Sequence, residues 1–232
     1  MSAQDPAKSQ LLIVDDHPLF REGLRQMIER DPLLAVCGEA ANRTQALELI
    51  PQLKPDLVLV DISLGSGSGI DLVKSIRGFW EDLPILVISM HDESLYAERA
   101  LRAGAMGYVM KHESGKVVRT AIHKALQGEV TLSDRMSSNL IARLMRGGTQ
   151  KPDSPLEILS DRELEVFRLL GQGKGTRQIA ADLSVTIPTV HSFRNRIKEK
   201  LQLKSSTEVM LHAIQWSGTQ MGREAAASDG KS

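Results

Sequence analysis

The chain has 232 residues, enough for one large or two modest domains, and its 41% hydrophobic and 25% charged content is ordinary for a soluble globular protein. A single cysteine, Cys37, excludes an internal disulfide and fits a reducing cytosol. No apolar run approaches the roughly 20 residues of a membrane helix, and the first residues lack the apolar stretch of a signal peptide, so a cytoplasmic protein with no membrane partner is expected.

Aromatic residues make up only 3%, so the core must be built from Leu, Ile, Val and Ala. The net charge of zero hides an asymmetry. Residues 1–128 carry 14 Lys/Arg against 17 Asp/Glu, whereas residues 166–204 carry eight basic residues against two acidic ones. The basic segment is a candidate nucleic-acid surface.

The first half alternates apolar runs with amphipathic stretches. Leu11–Val14 is a strand, Pro18–Arg30 a helix, and Val36 lies in a second strand before a helix over 43–53. Leu57–Val60, Ile85–Ile88 and Gly107–Met110 are further strands, with helices at about 70–78, 94–103 and 115–127 between and after them. Runs apolar on both faces alternating with helices predict an α/β fold, a doubly wound five-stranded parallel sheet over residues 10–128. A helix from Ser133 to about Arg146 and a Gly/Pro-rich stretch, Gly147–Pro155, form an interdomain connector over 129–158.

Beyond it the pattern is all-helical, which predicts a second, smaller all-α domain over 159–217. Ser160 with Glu163 and Ser205 with Glu208 are capping boxes. Helices are expected over 160–170, 176–183, 187–201 and 206–216, with Pro188 tolerated in the first turn of the third. Residues 218–232, rich in Gly, Ser and Ala, are expected to be a disordered tail. The turn Gly171–Gly175 mimics a phosphate loop but lacks its Gly-Lys-Ser/Thr ending and follows a helix, so nucleotide binding there is rejected.

Chemistry gathers at the strand ends. Asp15 and Asp16 follow the first strand, Asp61 the third, Ser89 the fourth and Lys111 the fifth. In a doubly wound sheet these positions share one rim, where such folds place their ligands. Three clustered carboxylates repel unless a cation neutralises them, and a hard divalent ion such as Mg2+ suits oxygen ligands. A carboxylate attacked by a phosphoryl donor becomes an aspartyl phosphate.

The segments Leu12-Ile13-Val14-Asp15-Asp16-His17, Leu59-Val60-Asp61, Ile88-Ser89-Met90-His91 and Gly107-Tyr108-Val109-Met110-Lys111 resemble the strand-end signatures of the receiver domain. The resemblance implies Asp61 as phospho-acceptor, Mg2+ held by Asp16, Asp61 and the Ser63 backbone carbonyl with Asp15 assisting through water, and Lys111 pairing with the phosphate. It also implies that Ser89 and Tyr108 form a switch, Ser89 moving to the phosphoryl group and Tyr108 turning inward. One departure is the loop Leu64-Gly65-Ser66-Gly67-Ser68-Gly69 in place of the usual Met-Pro-Gly-Met-Asp-Gly, where the loss of proline and gain of glycine are expected to loosen the chain. A haloacid-dehalogenase-type phosphohydrolase also uses a strand-end Asp, but wants a second acid where Ser63 stands. The chain is therefore expected not to be a dedicated enzyme.

The C-terminal segments Leu159-Ser160-Asp161-Arg162-Glu163-Leu164-Glu165-Val166, Ile179-Ala180, Thr189-Val190 and Lys200-Leu201 resemble the LuxR-type helix-turn-helix. Receiver and helix-turn-helix together are the arrangement of the NarL/FixJ family of two-component response regulators. That resemblance implies a sensor histidine kinase as phosphoryl source, a double-stranded DNA operator, and a homodimer when phosphorylated, with 206–216 as the dimer contact. Base contacts fall by position on His191, Ser192 and Asn195, while Arg194, Arg196 and Lys198 are expected to meet phosphates. His191 and Phe193 depart from the family's common residues. Phe193 is expected in the core, three residues from Val190 and four from Ile197, and His191 is a weaker phosphate anchor than lysine. A small-molecule-sensing regulator with the same C-terminal domain would need an aromatic-rich pocket, which the low aromatic content opposes.

Overall fold

The computed structural model describes residues 8–64, 67–145 and 154–229. The chain separates into two compact units, Met1–Gly148 and Thr149–Ser232.

In the first unit β1 (Ser9–Val14), β2 (Leu34–Ala40), β3 (Leu57–Val60), the short β4 (Ser63–Leu64) and β5 (Gly67–Ser68), β6 (Ile85–Ser89) and β7 (Gly107–Met110) alternate with helices. These are α1 (Pro18–Glu29), α2 (Arg43–Leu53), α3 (Gly69–Phe79), α4 (Glu93–Ala103), α5 (Gly115–Leu126) and α6 (Asp134–Met145). The main sheet is five-stranded, in the order β2-β1-β3-β6-β7, and every pairing is parallel. All four residues of β3 and all five of β6 are buried, because helices cover both faces of the central strands. The helices begin where short polar side chains satisfy free amides: Asn42 caps α2, Asp92 caps α4 and Ser114 caps α5. Along α1, Leu24 and Ile28 point inward and pack with Leu11, Ile13, Leu59 and Ile122.

Two features depart from the sequence reading. The glycine-rich stretch after Asp61 is not simply a loosened loop: Ser63 pairs with Ser68 and Leu64 with Gly67 as a small antiparallel ribbon. Its tip, Gly65-Ser66, lies outside the described residues. At its end Gly69 packs so close to the Asp61 carbonyl that no Cβ would fit. The second feature is the connector. Thr131 adds to the open edge of β7, its carbonyl accepting from the Tyr108 amide at 3.0 Å and its amide donating to the Met106 carbonyl at 2.9 Å. This contact covers part of an otherwise unpaired strand edge. Ser133 then caps α6 and donates its hydroxyl to Glu93 of α4 at 2.6 Å.

The second unit contains a 3-10 turn, Pro155–Ile158, and α7 (Asp161–Gly171), α8 (Thr176–Asp182), α9 (Ile187–Lys200) and α10 (Ser206–Asp229). Phe167, Leu164, Ile179, Val190, Ile197 and Val209 form its buried core. The domain starts earlier than the expected residue 159. Ser154 and Glu157 form a capping box on the 3-10 turn, and Leu156 and Leu159 are buried. It also ends later. The last helix does not stop at Trp216 but continues to Asp229, so most of 218–232, expected to be disordered, is helical. Extending a nucleated helix costs little, and Ala225-Ala226-Ala227 are the best helix formers. The connector stretch Gly147–Asp153 lies outside the described residues.

Candidate functional site: an acidic pocket and a recognition helix

Parallel strands that end together at the carboxyl rim of the sheet bring the predicted acidic residues into one pocket. Asp15 and Asp61 are buried, at 2% and 4% exposure. Ligand atoms of Asp15, Asp16, His17 and Asp61 all lie within 4.8 Å of one another. Lys111 enters from the end of β7, its ammonium 2.6 Å from Asp15 Oδ2 and 2.7 Å from Asp61 Oδ2. The ammonium also lies 4.3 Å from the centroid of the Phe20 ring on α1, a cation–π contact that holds it over the pocket. The His17 imidazole meets Asp16 at 2.6 Å.

The electrostatics are unbalanced. Burial pushes the Asp61 carboxyl up to about 6, and the Asp15 charge adds to the rise although Lys111 opposes it. One oxygen, Oδ1 of Asp61, is buried with no hydrogen-bond partner among the described residues. A buried, unbonded carboxylate oxygen beside two more carboxylates is a donor set for a hard divalent cation, and it leaves an oxygen free to attack an electrophile.

The switch residues adjoin the pocket. Ser89 is fully buried, and Tyr108 is buried as well, at 2% exposure. The Tyr108 hydroxyl donates to the His91 carbonyl at 2.7 Å, and its burial raises its pKa well above the ordinary phenol value. Ser63 stands two residues after Asp61, at the start of β4, and its hydroxyl shares a 2.7 Å hydrogen bond with His91 Nε2. Sequence spacing singled out neither Phe20 nor His91 as a site residue. Both reach the pocket through packing between distant segments, for which the sequence carries no local signal.

In the second unit α8 and α9 meet through the turn Leu183–Val185, where Ser184 takes the left-handed conformation at φ 52. Val190 and Ile197 face the core, and Phe193 is half-buried beside them. His191, Ser192, Asn195 and Arg196 are exposed on α9, and Lys198 is half-buried. Arg194 does not join them as a free cation. Its guanidinium donates to Thr176 Oγ1 at 3.1 Å and to the Ser206 carbonyl at 3.4 Å, tying α9 to the starts of α8 and α10. Two of its nitrogens are thereby engaged within the domain, because those acceptors lie within reach of its half-buried side chain. Among the described residues no helix is long and apolar enough to cross a membrane.

Comparison with known proteins agrees with both halves. The response regulator receiver domain profile matches residues 11–123, and that of bacterial regulatory proteins of the luxR family matches residues 157–213. The nitrate/nitrite response regulator protein NarP of Escherichia coli (strain K12) is 33% identical over 91% of this chain and 97% of its own. NarL of the same strain is 33% identical over 90% and 95%. Among solved structures, RcsB of Salmonella enterica serovar Typhimurium, bound to promoter rprA with the phosphomimetic BeF3-, superposes with a TM-score of 0.63 at 26% identity over 89% of this chain and 98% of that one. The chain belongs to the NarL/FixJ family of two-component response regulators, with a receiver domain followed by a LuxR-type DNA-binding helix-turn-helix, and is a regulator of transcription.

Proposed function

We propose that Asp61 accepts a phosphoryl group from a sensor histidine kinase and that this gates binding of the C-terminal domain, as a dimer, to a double-stranded DNA operator. The observation that carries the reading is Asp61 itself, one oxygen bound to Lys111 and the other buried and unbonded. Oδ1 attacks the phosphorus; the bond from phosphorus to the donor breaks, and its electron pair leaves with the donor. Lys111 then exchanges the Asp61 carboxylate for a phosphoryl oxygen while keeping its charge. The pocket fits Mg2+, which Asp15, Asp16, Asp61 and the Ser63 carbonyl would hold, and which would supply stabilisation of the transferring group's negative charge. The chain is an acceptor that assists its own phosphorylation rather than a dedicated enzyme.

On α9 the exposed His191, Ser192 and Asn195 read base edges, and Arg196 and Lys198 supply phosphate contacts. Chromosomal DNA as a target places this activity in the cytoplasm. The relative RcsB, captured on a promoter with a phosphomimetic, supports the order of events.

Treatment with acetyl phosphate and Mg2+, followed by intact-mass analysis, tests the acceptor. Wild type gains one phosphoryl adduct, and Asp61→Asn gains none; equal adducts on both sink the assignment. Light scattering and operator binding with and without the phosphodonor test the gate, which predicts a larger mass and tighter binding only in its presence.

A further inference from the structure

His91 has no role in the phosphorylation chemistry described above, yet it joins four groups that do, or that surround it. Its Nε2 shares a 2.7 Å hydrogen bond with the Ser63 hydroxyl, in the segment behind Asp61. Its amide donates to Ser89 Oγ at 3.2 Å, and its carbonyl accepts the Tyr108 hydroxyl at 2.7 Å. Its ring stacks on Tyr96 of α4, with centroids 4.9 Å apart and planes 28° from parallel. Tyr96 is itself buried, at 4% exposure, so the ring contact is anchored to the body of that helix.

We infer that His91 is a positioning residue that relays the state of the acidic pocket to α4, through the Ser63 hydroxyl on one side and the Tyr96 ring on the other. The inference rests on the phosphorylation of Asp61 proposed above. Physically, any shift of the segment carrying Ser63 must either drag the imidazole or break a hydrogen bond at one of its ends. Because the same residue's backbone holds both Ser89 and Tyr108, movement of the ring also moves the acceptor of the Tyr108 hydroxyl. A two-sided contact of this kind couples two elements only while both sides are intact. The far end of the relay is already linked onward, since Glu93 in the first turn of α4 binds the Ser133 hydroxyl at the start of α6.

The two contacts can be separated by substitution. His91→Phe keeps a ring to stack on Tyr96 and loses the bond to Ser63; His91→Gln keeps an amide that reaches the Ser63 hydroxyl and loses the ring; His91→Ala loses both. The full chain is treated with acetyl phosphate and Mg2+. Occupancy of Asp61 is read by intact mass, and hydrogen–deuterium exchange is followed in the peptide covering 93–103. In wild type, phosphorylation changes exchange in that peptide. In all three variants Asp61 is phosphorylated to the wild-type extent, but the exchange response falls at least about threefold in His91→Ala and His91→Phe, on the order of one hydrogen bond's worth of coupling. His91→Gln, which retains the bond to Ser63 but has no ring to stack on Tyr96, loses the response to the same extent, because either contact alone leaves the relay broken. A phosphorylated His91→Ala chain with the wild-type response overturns the relay. So does a His91→Ala chain that cannot be phosphorylated while wild type can, since His91 would then act on the chemistry itself. A wild-type chain that takes no phosphoryl group overturns the proposed function as well, which the mass measurement separates from failure of the relay alone.

Discussion

Neutralising Asp61 should stabilise the receiver rather than weaken it. In the metal-free chain its carboxyl titrates near 6 instead of 3.8, chiefly because it is buried, with only 4% of the residue exposed. A folded-state pKa above the unfolded value means that the ionised form is the one folding disfavours. The cost is therefore fully present above about pH 6, shrinks as pH falls through that value, and is gone below about 4. A difference of about two pKa units corresponds to about 3 kcal/mol at neutral pH, with the opposing attraction of Lys111 already included. Asp61→Asn keeps the shape and an acceptor for the Lys111 ammonium but removes the charge, so at pH 7.5 without divalent ions it should raise the receiver's melting transition by roughly 10 °C. At pH 4 the two chains should melt together. Added Mg2+ should narrow the gap at pH 7.5, because a ligand that binds only the folded wild-type pocket stabilises it by mass action. Thermal melts of the full chain by circular dichroism, at both pH values and with and without Mg2+, supply the test. If Asp61→Asn melts below wild type at pH 7.5 without Mg2+, the pocket is not electrostatically strained and the reasoning fails.

Four other substitutions probe the remaining geometry. Lys111→Met removes the cation from between Asp15 and Asp61, whose side chains are each 3% exposed, and should cost about 3–5 kcal/mol at pH 7.5 in urea unfolding, partly recovered as pH falls below about 6 and the Asp61 carboxyl protonates. Gly171→Ala pushes a methyl into the Ala213 carbonyl and the Ser217 hydroxyl where α7 meets α10, and should cost about 1–3 kcal/mol by the same assay. Arg194→Ala should lower the stability of the second unit by about 1–2 kcal/mol through its lost bonds to Thr176 and Ser206. By contrast, Asn195→Ala should leave the melt unchanged and weaken operator binding by about 1–3 kcal/mol in fluorescence anisotropy. An Arg194→Ala chain of wild-type stability with a shallower salt dependence of binding would restore it to the phosphate contacts.

What the sequence disclosed was whatever is encoded locally. The apolar runs ending in Asp15, Asp61, Ser89 and Lys111 gave the strands, and parallel pairing then forced their ends onto one rim. The capping boxes at Ser160 and Ser205 located the starts of α7 and α10, because a serine with a glutamate three residues on is a local signal. The parts not legible depend on contacts between distant segments. Nothing around Thr131 alternates as a strand does, yet it pairs with β7 because Gly107 has no side chain to hold it off. Arg194 was expected to meet DNA because charge on a recognition helix is usually solvated, and only the position of Thr176 and Ser206 shows it turned inward. The onset of the second domain at Ser154 was obscured by the Pro-rich connector, whose composition resembles a linker although Leu156 is buried.

The charge balance of the pocket explains why these residues occur together. Asp15, Asp16 and Asp61 with one ammonium leave a net deficit of two positive charges when all are ionised, and the Asp61 carboxyl, raised chiefly by burial, is raised further by the Asp15 charge. Protonation of Asp61 relieves half of it, whereas one divalent cation relieves all of it while keeping Oδ1 ionised and nucleophilic. The same pocket is therefore least reactive when it is most comfortable without a cation, because the proton that stabilises Asp61 occupies the electron pair needed to attack phosphorus. On the phosphorylation proposed above, transfer would replace a carboxylate of one negative charge by a phosphoryl group of nearly two, and the added charge would fall next to the Lys111 ammonium, which Phe20 and the two carboxylates already hold in place. Lys111 would then meet two demands, compensating buried carboxylates before transfer and the phosphoryl group after it. Its position between Asp15 and Asp61 allows both without leaving the pocket.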